Sequence, residues 1–490
     1  MPKAKSCVKC NSRISKTFPS KVGVRQGENL SPLLFSLFLN DLEYSISRRS
    51  ADAIQYRGLP FISQLYEQEM QDLADIDVFF RMYCLLYADD TIIMAESDQE
   101  LQSALNALHT YCTKWKLTVN VQKTKVVIFS RGLVRIAPAF VYGNQHIEIV
   151  RQYTYLGVVF YANGKFDVAI TQRIDQATLA LNALKWRARK LRLPLDVTLE
   201  LFDKCVKPVL LYGCEVWGWD DLSSLDIFQR NFYKECLGLK QSCSNNMVYA
   251  ELGQMPISYD ARIRMATYWL RLKQGRNTKI ASRLLGLCQR LHQNPSSGYS
   301  FEWMESIKQT LAAAGLEAVW NSNAPLLDSE SLKQQLWEAA RLQFGNKWSE
   351  EVALSRTCQT YKALMPTWNP ELSTYLTILN FYQRRAVARF RCRSNFLPMS
   401  SYLSHRPDYS CLCPLCNNDN ADEGHYLLSC PYFDIERARL LPHHLRELDP
   451  QLSLVRLLNC SELTPLKNIA RFIENVLNVF KDLQSLATVN

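Results

Sequence analysis

The sequence lacks an apolar run long enough to cross a membrane. Its longest such run, Leu33–Leu39, is interrupted by Ser36 and ends at Asn40, far short of the roughly 20 residues that a spanning helix needs. The opening residues Met1–Pro2–Lys3 start no signal peptide. We therefore expect a soluble, intracellular protein with no membrane partner.

Internal repeats and low-complexity tracts are also lacking. With 47% hydrophobic, 11% aromatic and 21% charged residues, the composition excludes a disordered, collagen-like or coiled-coil chain. The 16 cysteines are scattered and nothing indicates secretion, so a disulfide framework is not expected. A length of 490 residues predicts about three domains.

Acidic residues are missing from one place and concentrated in another. Residues 1–27 contain no Asp and no Glu, whereas residues 51–100 hold 11 acidic and two basic side chains. Residues 121–210 hold 14 basic and six acidic ones, and the net charge is +10. This separation predicts an acidic site beside a basic surface that suits an acidic partner, although a pair of solvated faces would explain it equally well.

Hydrophobic periodicity indicates an α+β part followed by a helical remainder. Ser31–Pro32 predicts a helix over about 32–48, and Ser97–x–x–Glu100 forms a capping box before the next helix. A strand is predicted over Val126–Phe129, with further strands within 141–159. From about residue 165 helical patterns dominate, with breaks at Pro194 and Pro208.

Two adjacent carboxylates, Asp89 and Asp90, lie between the apolar runs of residues 83–95, which predicts a tight hairpin with Asp at its tip. Adjacent like charges repel, and one would neutralise unless a cation lies there. Mg²⁺ takes one or two carboxylates plus substrate phosphates, and two metal ions can clamp both oxygens of a phosphoryl transfer. Tyr87–Ala88–Asp89–Asp90 is therefore a candidate catalytic metal site, although four residues match often by chance.

A second candidate metal site lies near the C-terminus. Cys413–x2–Cys416–x8–His425–x4–Cys430 supplies three thiolates and one imidazole, the ligand set of a closed tetrahedral zinc site. Cys411 is a spare thiol that is either free or competes with Cys413. The spacing predicts a zinc knuckle over 401–440.

Two basic segments are candidate nucleic-acid contacts. They comprise Lys185, Arg187, Arg189, Lys190 and Arg192 in one segment, and Arg384, Arg385, Arg389, Arg391 and Arg393 with Phe390 in the other. Guanidinium groups pair bidentately with phosphates, and an aromatic ring can stack on an unpaired base. The alternative is a basic helix face dissolved in water.

Several motifs, in this order, resemble the reverse transcriptase of non-LTR (LINE-type) retrotransposons. They are Arg25–Gln26–Gly27–x–x–Leu30–Ser31–Pro32, Tyr87–Ala88–Asp89–Asp90, Leu117–x–Val119–Asn120–x–x–Lys123–Thr124, Tyr155–Leu156–Gly157 and Leu211–Tyr212–Gly213–Cys214–Glu215–Val216–Trp217. The similarity covers most of residues 1–260 and is weaker over 380–435. A CCHC motif also follows the polymerase in several such elements.

The resemblance implies an RNA-directed DNA polymerase that uses Mg²⁺, an RNA template and a DNA primer. Asp89 and Asp90 would bind Mg²⁺. Arg25, Gln26, Gly27 and Tyr87 would lie near template and nucleotide, and Tyr155–Leu156–Gly157 on the primer side. Lys123 is a candidate for contacting or protonating pyrophosphate, or else a solvated lysine at a strand end. Nucleus and cytoplasm are both compatible with a retrotransposon protein.

The same resemblance exposes a missing ligand. The family carries a further carboxylate on a strand before the Arg-Gln-Gly loop, where residues 1–27 offer no acidic side chain. Two-metal catalysis needs ligands on both ions. We therefore expect an N-terminally truncated polymerase that is inactive alone, with a non-catalytic RNA- or DNA-binding protein, or a helical interaction protein, as alternatives.

The predicted fold class is α+β: a partial polymerase palm, an antiparallel sheet with helices, followed by mostly helical regions and the zinc knuckle. The predicted divisions are the palm over 1–160, a thumb-like basic region over 161–290, a helical connector over 291–400, the knuckle over 401–440 and a helical tail over 441–490.

Overall fold

The computed structural model describes residues 5–10, 13–19, 30–42, 45, 84–87, 90–95, 97–130, 138–275, 280–293, 300–321, 328–395, 397, 412–417 and 421–487. These residues are mostly helical and include small sheets, which confirms the mixed α+β class. The chain forms two compact units. The first comprises Met1–Tyr153, Tyr161–Gly164 and Gly275–Tyr299, and the second comprises Thr154–Phe160, Lys165–Gln274 and Ser300–Asn490.

The first unit holds the short strands. They are β1 (Lys5–Ser6), β2 (Lys9–Cys10), β3 (Arg13–Ile14), β4 (Phe18–Pro19), β5 (Cys84–Tyr87), β6 (Asp90–Ile93), β7 (Lys125–Val126), β8 (Phe140–Tyr142) and β9 (Gln145–Ile149). Strand β1 pairs with β4, β2 with β3 and β5 with β6, all antiparallel. In a three-stranded sheet, β9 is central, parallel to β7 and antiparallel to β8.

Helix α2 (Asp98–Trp115) organises the core of this unit. The hydroxyl of its N-cap Ser97 accepts a hydrogen bond from the amide of Glu100 at 3.2 Å, so the predicted capping box is confirmed on its Ser side. One face of the helix packs Leu105 onto the sheet residues Val126, Phe140 and Ile147. Its other buried residues pack against Leu39 and Leu42.

The helix predicted over 32–48 is shorter in the structure. Helix α1 (Ser31–Phe38) begins one residue earlier than predicted, with Pro32 in its first turn. Pro suits that position because the amide it lacks has no partner within the helix. Among the residues described up to position 45, the chain turns at 39–41 and does not continue as one helix. The predicted strand over Val126–Phe129 is also shorter, since β7 ends at Val126.

Strands β10 (Gln152–Tyr155) and β11 (Val158–Tyr161) pair as a hairpin. The boundary between the units falls within it, and its turn belongs to the second unit. Both turn residues have positive φ, 46° at Leu156 and 79° at Gly157. This is the two-residue type I′ connection, whose twist matches that of the flanking strands.

The remaining helices follow in chain order. They are α3 (Asp167–Leu191), α4 (Leu195–Leu201), α5 (Lys207–Leu210), α6 (Cys214–Trp217), α7 (Ser223–Leu237), α8 (Asn245–Leu252), α9 (Ile257–Lys273), α10 (Ile280–Gln293), α11 (Glu302–Ala312), α12 (Glu317–Asn321), α13 (Ser329–Leu354), α14 (Gln359–Leu364), α15 (Tyr375–Ile378), α16 (Phe381–Arg391), α17 (Asp434–Leu440), α18 (Pro450–Leu458) and α19 (Leu463–Ala487). All of these except α10 belong to the second unit.

Helix α3 shows why the second unit is helical. Its buried side chains recur three or four positions apart, the period that puts one helix face toward a core. They include Ile170, Arg173, Ala177, Leu181 and Leu184. The helix ends at Leu191. The next residue, Arg192, adopts the left-handed conformation and caps the helix two positions before Pro194. The predicted break at Pro194 is thus confirmed.

The predicted break at Pro208 is wrong. The chain stays helical from Leu195 to Leu210, because a π-helical turn over Phe202–Val206 joins α4 to α5. Proline donates no amide hydrogen bond and its ring crowds the preceding turn. The wider π turn relieves that conflict without ending the helix.

One core runs through the second unit. It joins Ile170 on α3 and Phe202 to Trp348 on α13, Phe390 on α16 and Phe472 on α19. Among the described residues, no helix combines the length and the apolar character that a membrane crossing requires.

Candidate nucleic-acid and metal sites

The carboxylate motif lies at a strand hairpin. Strands β5 and β6 pair in register from Cys84 opposite Ile93 to Tyr87 opposite Asp90, so β5 ends at Tyr87 and β6 begins at Asp90. Asp90 is exposed. Asp89, the side chain of Tyr87 and the predicted template residues Arg25, Gln26 and Gly27 lie outside the described residues.

Lys123 ends a turn that Asn120 stabilises. Its amide donates to the backbone oxygen and to the side-chain oxygen of Asn120, both at 3.1 Å. This Asx-type turn gives the Asn-x-x-Lys spacing a local cause. The Lys123 side chain is exposed, which suits each of its predicted roles.

The type I′ turn at Leu156 and Gly157 is fixed by two side chains that the sequence did not single out for this purpose. The hydroxyl of Tyr212 donates to the carbonyl oxygen of Leu156 at 3.0 Å, and Nη2 of Arg173 donates to that of Gly157 at 2.7 Å. The Arg173 guanidinium lies 5.3 Å from the centre of the Tyr212 ring. The motif that contains Leu156 and Gly157 and the motif that contains Tyr212 are separate in sequence but are therefore in direct contact.

Gly157 is required at this turn for two reasons. A left-handed residue other than glycine costs about 1–2 kcal/mol, and a Cβ at Gly157 would lie 3.2 Å from Cε1 of Tyr212. We expect Gly157→Ala to lower the free energy of unfolding of the second unit by about 2 kcal/mol, measured by denaturant titration.

Gly315→Ala is the matched control for Gly157→Ala. Gly315 has φ of 68°, yet its added Cβ would meet nothing within 4 Å. It therefore reports the backbone strain alone. Equal losses for the two variants would show that Tyr212 does not press on the turn.

The basic residues of α3 differ in their surroundings. Lys185 and Arg189 both pair with Glu235 of α7, and Nη2 of Arg189 lies 2.7 Å from Oε1 of that residue. Arg187 and Lys190 are exposed. The Lys190 ammonium lies 4.7 Å from the centre of the exposed Trp186 ring.

Arg391 was predicted to contact nucleic acid, and the structure contradicts this. The side chain is 4% exposed and its Nε lies 2.9 Å from Oε1 of the fully buried Glu251. Its Nη1 donates to the carbonyl of Leu458 at 2.6 Å and to Oδ1 of Asn459 at 2.7 Å. Phe390 is also buried, so it cannot stack on a base. Arg391 and Phe390 are therefore buried residues that stabilise the interior of the second unit.

The Cys₃His residues come together as their spacing predicted. The ligand atoms of Cys413, Cys416, His425 and Cys430 all lie within 4.8 Å of one another. Sγ of Cys413 is 3.9 Å from Sγ of Cys430, and Sγ of Cys416 is 3.4 Å from Nε2 of His425. With zinc bonds of about 2.3 Å to sulfur and about 2.0 Å to nitrogen, a tetrahedral ion sets these pairs about 3.8 and about 3.5 Å apart. The residues therefore fit a zinc ion.

Short turns create the cluster geometry. Asn417 adopts φ of 56° and its amide donates to the carbonyl of Cys413 at 2.8 Å, which closes the first Cys pair. The amide of His425 donates to Oδ1 of Asp422 at 2.8 Å, and a π-helical turn then runs to Ser429. Burial raises the pKa of the Cys430 thiol to about 12, and a coordinating metal ion would instead stabilise the thiolate.

Arg437 supports this cluster and was missed by the sequence interpretation. The buried side chain donates from Nε to the carbonyl of Leu427 at 2.9 Å and from Nη2 to that of Cys430 at 2.7 Å. The ring of Tyr426 lies 5.0 Å from the imidazole of His425 and 4.9 Å from the ring of Phe480 on α19, centre to centre. The cluster is thus packed into the core of the second unit and is not an isolated module.

One family model and several curated relatives are similar to parts of this chain. Residues 1–160 match the family described as "Reverse transcriptase (RNA-dependent DNA polymerase)". The "RNA-directed DNA polymerase from mobile element jockey" of Drosophila funebris is 26% identical over 199 residues, 40% of this chain and 19% of the relative. The "Probable RNA-directed DNA polymerase from transposon BS" of Drosophila melanogaster is 26% identical over 200 residues, 40% of this chain and 20% of the relative.

A longer match extends into the helical part. The "Retrovirus-related Pol polyprotein from type-1 retrotransposable element R2" of Popillia japonica is 20% identical over 324 residues, which is 60% of this chain and 48% of the relative. The chain spans about a fifth of the length of the jockey and BS relatives.

Proposed function

Since the chain is related to the reverse transcriptases of non-LTR (LINE-type) retrotransposons, we propose that it is the part of such a polymerase that holds an RNA template and a DNA primer. The observation that carries the proposal is the in-order set of motifs within the matched residues 1–160. The Tyr87–Asp90 register supports it, because the paired strands end and begin at the two outer residues of this motif.

Each part takes one role in the proposal. Residues 1–160 act as a partial palm in which Asp89 and Asp90 bind Mg²⁺. Residues 161–290 act as a basic, thumb-like region, and 291–400 as a helical connector. Residues 401–440 bind zinc through Cys413, Cys416, His425 and Cys430, and 441–490 form a helical tail. Mg²⁺ in such a site neutralises charge on the transferred phosphates.

The arrangement of residues suits the binding of a nucleic-acid backbone. Exposed Arg187 and Lys190 lie beside exposed Trp186 on α3. Cations that neutralise phosphates supply most sequence-independent affinity, and an exposed aromatic ring can stack on any unpaired base. The primer-side turn is held at a fixed geometry by Tyr212 and Arg173.

We expect no template-directed DNA synthesis from the 490-residue polypeptide alone. Asp89 and Asp90 would have to ligate both metal ions without the further carboxylate that the family carries, and loss of about 5 kcal/mol of transition-state stabilisation lowers a rate by several thousand-fold. Primer extension on an RNA template with Mg²⁺ tests this. DNA synthesis that Asp89→Ala abolishes would overturn the expected inactivity while supporting the assignment of Asp89 as a metal ligand.

A further inference from the structure

A groove with a volume of about 620 Å³ lies in the second unit, and helices α3, α7 and α16 supply many of its walls. We name it the basic groove. Its charged lining residues are Lys185, Glu235, Arg385 and Arg389, and the amide side chains of Asn182 and Asn231 also line it. It brings together two basic segments that lie about 200 positions apart in the sequence.

The one carboxylate that lines the basic groove is already neutralised. Oε2 of Glu235 pairs with Nζ of Lys185, and Oε1 pairs with Nη2 of Arg189 at the rim. Two cations therefore share one anion, and both oxygens of that anion are engaged. Glu235 has little capacity left to compensate further cations in the groove.

Arg385 and Arg389 contribute the remaining charge. Nε of Arg389 donates to the carbonyl of Gly238 at 2.7 Å, and Nη2 of Arg385 donates to the carbonyl of Glu235 at 3.4 Å. These carbonyls are neutral acceptors. Among the described residues, neither arginine forms an ion pair with a carboxylate, and Nε of Arg385 is buried without a hydrogen-bond partner.

The positively charged guanidinium groups of Arg385 and Arg389 also repel each other. Burial lowers the pKa of Arg385, and the neighbouring Arg389 lowers it further. Like charges four residues apart on one helix destabilise it. An anion bound between them would remove that repulsion.

The basic surface continues beyond the basic groove, which favours a polymer over a small anion. Arg189, which lies on the same face of α3 as Lys185 and is 74% exposed, extends it, and Lys190 and the exposed ring of Trp186 flank that face. Arginine pairs with phosphate through two parallel hydrogen bonds, and amide side chains such as Asn182 contact phosphate and sugar in nucleic-acid complexes.

We propose that the basic groove binds consecutive phosphates of a nucleic-acid strand through Arg385 and Arg389. This inference rests on the proposed function, because it names the surface that holds the template or primer backbone. Lys185 and Arg189 keep Glu235 from repelling the phosphates, and Trp186 offers a stacking surface at the edge.

The test is fluorescence anisotropy of the full chain with a labelled single-stranded RNA and, separately, a labelled RNA–DNA hybrid, at several salt concentrations. For Arg385→Gln/Arg389→Gln we expect the salt slope for RNA to fall by about 1.4, since each phosphate contact on a single strand contributes about 0.7. Binding at about 0.15 M salt should weaken by about 10-fold. Comparison of the two probes shows whether the groove holds a single strand or a duplex.

Three further variants separate charge from folding. Arg385→Lys/Arg389→Lys keeps both positive charges and should therefore leave the salt slope of RNA binding unchanged. Lys204→Gln/Lys347→Gln removes two exposed cations outside the basic groove and should bind as the unsubstituted chain does. Asn182→Glu adds a carboxylate at an exposed position of the groove and should weaken binding without disturbing the arginines.

The outcomes distinguish this inference from the proposed function. Suppose that the unsubstituted chain binds with a salt-dependent affinity, and that neither Arg385→Gln/Arg389→Gln nor Asn182→Glu changes that affinity. The proposal that the basic groove binds phosphates is then overturned, while the proposed function stands. If the unsubstituted chain binds neither probe at low salt, both are overturned.

Discussion

Cys430→Ser, or removal of the metal by a chelator, is expected to unfold much of the second unit. Cys413, Cys430, Tyr426 and Phe433 belong to the same core as α16 and α19, so a zinc ion bound by these cysteines would stabilise that core. Structural zinc contributes about 10–16 kcal/mol in zinc-finger peptides at neutral pH. We expect a fall of about 10 °C or more in melting temperature, given about 2–4 °C per kcal/mol in large domains.

The measurement combines zinc content with thermal unfolding. The purified chain should hold one zinc ion, and Cys430→Ser should lose it. Cys460→Ser is the matched control, because Cys460 is partly buried in the same unit but is not a cluster residue. A chain that contains no zinc, or in which Cys430→Ser melts like Cys460→Ser, would rule out a structural metal site.

Arg391→Ala is expected to lower the free energy of unfolding by about 3–5 kcal/mol, since it leaves a buried charge without its partner. Glu251 is fully buried, and its Oε1 also accepts a hydrogen bond from the hydroxyl of Tyr361 at 2.9 Å. Although burial alone would lower the pKa of Arg391, the adjacent Glu251 raises it above its usual value. The pair ties α8 to α16 and to the end of α18, and denaturant titration measures its loss.

The double variant Glu251→Leu/Arg391→Met separates an uncompensated charge from lost packing. Buried ion pairs can often be replaced by apolar residues at little cost, so we expect it to be more stable than Arg391→Ala alone. Arg439→Ala removes an exposed arginine from the same unit and should change stability by about 0.5 kcal/mol or less. If the single and double variants lose the same free energy of unfolding, the unpaired charge of Glu251 does not destabilise the core.

The features predicted well from the sequence are those with local causes. The Ser97 cap, the hairpin that joins β5 and β6, and the Cys₃His cluster each depend on residues within about 20 positions of one another. Their spacing alone restricts the geometry. The metal cluster in particular needs two turns that bring two ligand pairs together, and the sequence contains both pairs at turn spacing.

Features that depend on distant segments could not be predicted in this way. Arg391 belongs to a basic helix that looks solvated in the sequence, and only the packing of α8 against α16 supplies Glu251 as its partner. The role of Arg437 at the cluster and the joining of Lys185 to Arg389 in the basic groove have the same origin. Pro208 was misjudged because a π turn is not visible in hydrophobic periodicity.

The most direct test of the central claim is the equilibrium binding of an RNA template annealed to a DNA primer, measured on the full chain as a function of salt. A polymerase region that holds nucleic acid by its backbone should bind this hybrid, with log affinity falling linearly as log salt rises. Absent binding at low salt, or an affinity independent of salt, would contradict the account and favour a helical protein that binds other partners.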